Sequence, residues 1–142
     1  MTEYYKLYSS LPQRDTPRAW AEIDLGALRG NYRYLKAEAE RADAESQPIC
    51  VVKADAYGHG APACVRTLLE EGCDFFAVSC LNEAIAVREV CRAAGSSARI
   101  LILGYTDPSL AEVLAKEDLL QTLLSAEFAD RLLSCAVREG VS

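Results

Sequence analysis

Apolar residues in this chain gather into four short, nearly unbroken runs, each followed by a polar loop and then by a segment with apolar positions every three or four residues. The runs are Ile49–Val52, Phe75–Val78, Ile100–Leu103 and Thr122–Leu124. Apolar and polar residues do not alternate within them, the pattern of strands covered on both faces in a parallel sheet. The starts at 49, 75, 100 and 122 leave room between them for one strand, loop, helix and loop each. The intervening segments carry their own helix punctuation. Pro62 suits a first turn ahead of Val65, Leu68 and Leu69, with Gly72 as the stop, and Asn82 suits an N-cap ahead of Ala84, Val87 and Val90, with Gly95 beyond the end. Asp107-Pro108 reads as a cap and first-turn proline before Leu110, Val113 and Leu114. Ser125 caps a last helix through Leu132, Leu133 and Ala136 to Gly140. Upstream, Ala19–Leu25 reads as a short strand closing on Asp24, whose carboxylate caps a helix carrying Leu28, Tyr32 and Leu35 to about Lys36. Residues 1–17 are polar and irregular and read as a flexible tail.

Four consecutive βα units predict an α/β fold with a parallel sheet and right-handed crossovers, either an open doubly wound sheet or a (β/α) barrel. Periodicity leaves both open. A closed barrel takes eight strands and about 250 residues, so 142 residues supply half of one.

Composition narrows the function classes. Hydrophobic residues make up 51% and charged residues 25%, the balance of an ordinary packed domain. A net charge of -6, with the basic residues scattered, argues against a nucleic-acid partner, which needs a clustered Lys/Arg surface. No stretch approaches the ~18 apolar residues of a membrane span, and the first residues lack the apolar core of a secretion signal. The six cysteines form no C-x-x-C pair and several sit inside apolar runs, which suits small buried hydrophobes in a reducing compartment, and one histidine is too few for the usual metal clusters. A cytoplasmic location is the expectation.

The densest chemical signal is Val51-Val52-Lys53-Ala54-Asp55-Ala56-Tyr57-Gly58-His59-Gly60. Here a lysine ends an apolar strand, and in parallel α/β folds the carboxyl ends of the strands form the functional face. A desolvated lysine loses its proton readily and attacks an aldehyde, which is what a pyridoxal-phosphate Schiff base requires. Each residue also has a plain structural reading. Lys53 could snorkel to the surface, Gly58-His59-Gly60 could be a turn or an anion-holding helix start, His59 a hydrogen-bonded loop residue, and Tyr57 packing.

The ten-residue segment resembles the signature around the cofactor lysine of alanine racemases, with Asp55 where that family often has Asn. Arg18–Leu25 is similar to the family's opening strand, Phe75–Val78 to its next barrel strand and Ile100–Thr106 to its third, a likeness covering about residues 18–140. The resemblance implies that residues 18–142 are the N-terminal half of a (β/α)8 TIM-type barrel, about four βα units preceded by a short strand and helix, with the rest of the barrel and a C-terminal β domain outside them. It implies pyridoxal 5'-phosphate as cofactor, and Lys53 as both its attachment point and one of two acid/base groups, the one serving the D-amino acid. Tyr57 would approach the cofactor phosphate, and Ile102 would pack near its ring. The arginine beside the pyridine nitrogen and a second acid/base tyrosine, shared across a homodimer interface, would lie in later sequence. The implied reaction interconverts L- and D-alanine, a small-molecule substrate, and supplies D-alanine for peptidoglycan. Residues 1–142 alone are then expected to be inactive. Rival readings are a racemase for another amino acid such as serine, a cofactor-binding protein without turnover, and a non-catalytic remnant.

Overall fold

The computed structural model describes residues 21–141. Helix α1 spans Leu25–Ala42 and begins where expected, because Asp24 Oδ1 accepts the amides of Gly26 at 2.8 Å and Ala27 at 3.0 Å. It runs past Lys36 for almost two further turns and buries Tyr32. Its Arg29 and Arg33 reach Glu70 and Glu71, at the end of helix α2 (Ala61–Glu70). The expected opening strand is not found in the described residues: Ala21–Asp24 have no regular structure, while Ala19, Trp20 and the expected tail over 1–17 lie outside them.

Four parallel strands follow, β1 (Cys50–Val51), β2 (Phe75–Val78), β3 (Arg99–Ile102) and β4 (Leu120–Gln121), and they neighbour one another in chain order. Between and after them run α2, α3 (Leu81–Ala93), a short 3₁₀ turn Pro108–Leu110 leading into α4 (Ala111–Lys116), and α5 (Ala126–Glu139). Right-handed crossovers in unbroken order place every helix on the same side of the sheet, whereas a doubly wound sheet reverses its order to cover both sides. The architecture is therefore the N-terminal half of a (β/α)8 barrel.

The register divides the sheet into two faces. Cys50, Phe76 and Ile100 lie in one row and Val78 with Ile102 in the next, all toward the helices. Phe76, Ile100 and Ile102 are fully buried there with Val65 and Cys91 from the helices, each large side chain contributing about 1.5–3 kcal/mol. The alternate row, Val51–Ala77–Leu101–Leu120, faces the other way, and its end members are 39% and 44% exposed.

Two strands are shorter or displaced relative to the apolar runs. β1 keeps only two residues of Ile49–Val52, and β4 forms two residues ahead of Thr122–Leu124, leaving Leu123 and Leu124 exposed. Run length marks burial and hydrophobicity, and ladder pairing is a separate property. Asp107 and Ser125 cap as expected, through Ser109 N–H at 2.9 Å and Phe128 N–H at 3.1 Å. Asn82 does not: α3 starts earlier than that cap allows, with Cys80 as N-cap. Deeper in α3, the buried Arg88 donates to the carbonyls of Ala98 at 2.7 Å, Glu117 at 2.8 Å and Asp118 at 2.5 Å, tying the end of α4 and the entry to β3 to one guanidinium.

Candidate active site

The chain leaves β1 through Val52, whose amide still pairs with Ala77 O at 2.9 Å, and Lys53 follows at the carboxyl end of the strand. The next four residues turn left-handed. Ala54, Asp55, Ala56 and Tyr57 have φ of 50, 55, 53 and 56°, and Gly58 continues at 82°. A left-handed turn of L-residues is disfavoured by about 1–2 kcal/mol per residue, so four non-glycine positions store about 4–8 kcal/mol. Hydrogen bonds at both of its ends hold it. Ala56 N–H donates to Val52 O (3.0 Å), His59 N–H to Ala56 O (3.1 Å) and Gly60 N–H to Asp55 O (2.9 Å). Asp55 Oδ1 accepts Ala61 N–H at 2.7 Å, capping α2, and Glu83 Oε1 accepts Ala54 N–H at 2.7 Å. Bonds worth about 0.5–1.5 kcal/mol each, more to a carboxylate, sum to the size of the strain.

The turn presents two side chains at one rim. Lys53 is half-buried, its Nζ is 6.0 Å from the centroid of the Tyr57 ring, and no ion pair among the described residues includes it. Tyr57 is 58% exposed. His59 bonds locally, with its Nδ1 2.8 Å from Ala56 O, and since a carbonyl can only accept, the proton sits on Nδ1. The row Val51–Ala77–Leu101, continued two residues along β2 and β3, places Ser79 and Leu103 on the face away from the helices, while at the end of β1 the backbone leaves the extended conformation at Val52 (ψ 25°) before Lys53.

Glu83 was invisible as a site residue in the sequence. Its Oε2 accepts both the amide and the hydroxyl of Ser79, at 2.8 and 2.7 Å, while Oε1 holds Ala54. Burial pushes this carboxyl up, and the hydrogen bonds from Ser79, Ala54 and Cys80 outweigh it, leaving the group below the usual carboxylate range. The signal that could have found it is an acidic residue in the first turn of a helix, where it reaches back to free amides. Behind the turn, on the helix side, is a mostly apolar cleft of about 310 Å³ between α2 and α3, which neither Lys53 nor Tyr57 lines.

Compared with known proteins, residues 23–142 match the family described as alanine racemase, N-terminal domain. The chain belongs to that family. The alanine racemase of Carboxydothermus hydrogenoformans is 44% identical over 110 residues, 78% of this chain and 28% of the relative. The solved alanine racemase of Clostridium difficile 630 shares 37% identity at a TM-score of 0.72, covering 88% of this chain and 31% of that one. A histidine racemase from Leuconostoc mesenteroides subsp. sake NBRC 102480 also gives a TM-score of 0.72, over 89% of this chain and 32% of that one, at 24% identity, a likeness of fold alone. The chain spans less than a third of the length of the curated relatives it matches. Within this alanine racemase barrel half, Lys53 and Tyr57 come together at the strand-end rim. Ile102 does not join them: it is 0% exposed beneath the helices, because the pleat points it opposite to Leu103, which is 39% exposed on the other face of the sheet.

Proposed function

We propose that the protein containing this chain is a pyridoxal-phosphate-dependent racemase interconverting L- and D-alanine, with Lys53 as its cofactor lysine. The observation that carries the reading is the amine of Lys53, held at the carboxyl end of β1 without an ion-pair partner among the described residues, beside the exposed phenol of a strained turn. Those groups fit the cofactor chemically: an amine for its aldehyde and a hydroxyl donor, on Tyr57, for its phosphate. When bound, the cofactor supplies an electron-withdrawing ring that stabilises the charge left as the Cα proton departs. Lys53 Nζ then takes or returns that proton on its own face of the substrate. Inversion needs a second acid/base group on the opposite face. The family assigns that role to a tyrosine in later sequence, shared within a homodimer. Alanine as substrate is supported by the names of the relatives, and D-alanine supply for peptidoglycan in the cytoplasm follows from that reading. Among the described residues, no helix is long and apolar enough to cross a membrane.

The test uses the full-length protein saturated with pyridoxal phosphate, reduced with borohydride and digested. The label is expected on the peptide holding Lys53. A label on Lys36 or Lys116 instead, or racemisation undiminished in Lys53→Ala, would overturn the assignment.

A further inference from the structure

We infer that Glu83 is the positioning residue of this site: by joining the ends of β1 and β2 through its carboxylate, it fixes the left-handed turn that presents Lys53 and Tyr57. The two carboxylate oxygens serve two different strand ends, Oε1 the Ala54 amide just after Lys53 and Oε2 the amide and hydroxyl of Ser79 just after β2. The mount is rigid, because Glu83 sits in the first turn of α3, whose Ala84 and Val87 are locked in the core. Ala54 is the first residue of the left-handed run, so its amide is where the chain either enters that conformation or relaxes toward the right-handed one. With Oε1 withdrawn, no other acceptor recorded among the described residues takes this amide, and the bond that still spans it, from Ala56 N–H to Val52 O, leaves the Ala54 N–H itself unpaired.

The rival role is a plain helix cap, in which Glu83 stabilises α3 and the bond to Ala54 is incidental. Two substitutions in the full-length protein separate them. Glu83→Gln keeps the shape and offers one accepting oxygen, so its NH₂ must face a donor at one strand end. Glu83→Asp keeps the charge that favours a helix start and shortens the reach by one methylene, so it caps α3 and cannot span both strand ends. The primary readout is amide hydrogen exchange without cofactor. Both variants are expected to exchange about tenfold or more faster over residues 54–57, with residues 75–78 unchanged. A second readout, which rests on the proposed function, is the rate at which pyridoxal phosphate labels Lys53, expected to fall in both. Parent-like exchange over 54–57 in Glu83→Asp overturns the inference and leaves Glu83 a helix cap, and it decides the matter even if Glu83→Gln does not fold. Should the parent protein fail to take label at Lys53 while the exchange result holds, the cofactor reading fails and the role of Glu83 in the turn stands.

Discussion

The loops after β1 and β3 make the same kind of connection, from a strand end to a helix start, by opposite means. After β3 the chain uses favoured conformations: Asp107 at φ -60° caps Ser109, Pro108 enters the 3₁₀ turn, and Gly104 lets the backbone pass close to the end of β2. After β1 the chain takes four non-glycine residues through the left-handed region and recruits a carboxylate from another helix to keep them there. An ordinary strand-to-helix link needs no such strain, as the β3 loop shows. Strain retained in one loop and absent from its neighbour marks the loop whose side chains do more than connect.

The largest expected effect lies in the unstrained loop. A Cβ on Gly104 would meet the Ser79 carbonyl oxygen at 2.4 Å, backbone against backbone. Gly104→Ala should therefore destabilise by about 1–3 kcal/mol, the usual range for overpacking, read from denaturant midpoints; a neutral result would mean the two strand ends are free to separate. Next comes Tyr57→Phe in the full-length protein. If the hydroxyl holds the cofactor phosphate, affinity falls by about 0.5–3 kcal/mol with stability unchanged, and an unaltered equilibrium titration returns Tyr57 to packing. A smaller effect sharpens the contrast by sign. Ala54→Gly relieves a left-handed alanine and should be neutral or stabilising by up to about 1 kcal/mol, whereas the same exchange at Ala86, in mid-α3, should destabilise by about 1 kcal/mol. Destabilisation of both by equal amounts would deny that the turn is strained.

The smallest effect is in acid. Glu83 is held below the usual carboxylate range as described, and Asp107 is too, by the amide and then the hydroxyl of Ser109. A carboxyl lowered by folding adds stability that is fully present above its unfolded pKa, about 4, and that disappears as pH falls through the lower folded value. Stability is expected to be flat from neutral to about pH 5 and to decline below about pH 4. Asp107→Asn keeps an accepting oxygen and removes the titration, so it should flatten only part of that decline. An identical acid limb in chemical unfolding of parent and variant would exclude Asp107 as a contributor.

Most helices were legible in the sequence because their signals are local. Asp24, Asp107 and Ser125 each bind amides two or three residues on, and apolar spacing fixes the buried stripe regardless of partners. The expected cap at Asn82 failed because α3 already begins at Leu81 with Cys80 as N-cap, and the side chain that bonds amides at this end is Glu83, which reaches back to Ser79 ahead of the helix. Strand bounds were blurred because hydrophobic runs extend past the ladder, and since those runs do not alternate, nothing in them told which face Ile102 would take. The motif singled out Lys53 and Tyr57, which the structure brings within 6.0 Å of each other. The left-handed turn was not, since alanine and tyrosine are poor markers of positive φ and only Gly58 and Gly60 gave a hint. Its cause lies 29 residues away, in the bond between Ala54 and Glu83.

Arg88 sets how far any disturbance at the rim can spread. Its guanidinium is bound by carbonyls from the entry to β3 and the end of α4, so opening either segment alone strands a charge in an apolar core. The second and third units are thereby tied together, so that opening one is coupled to opening the other. The β1 turn touches that pair of units through Glu83, five residues earlier on the same helix, and can loosen without unlocking it.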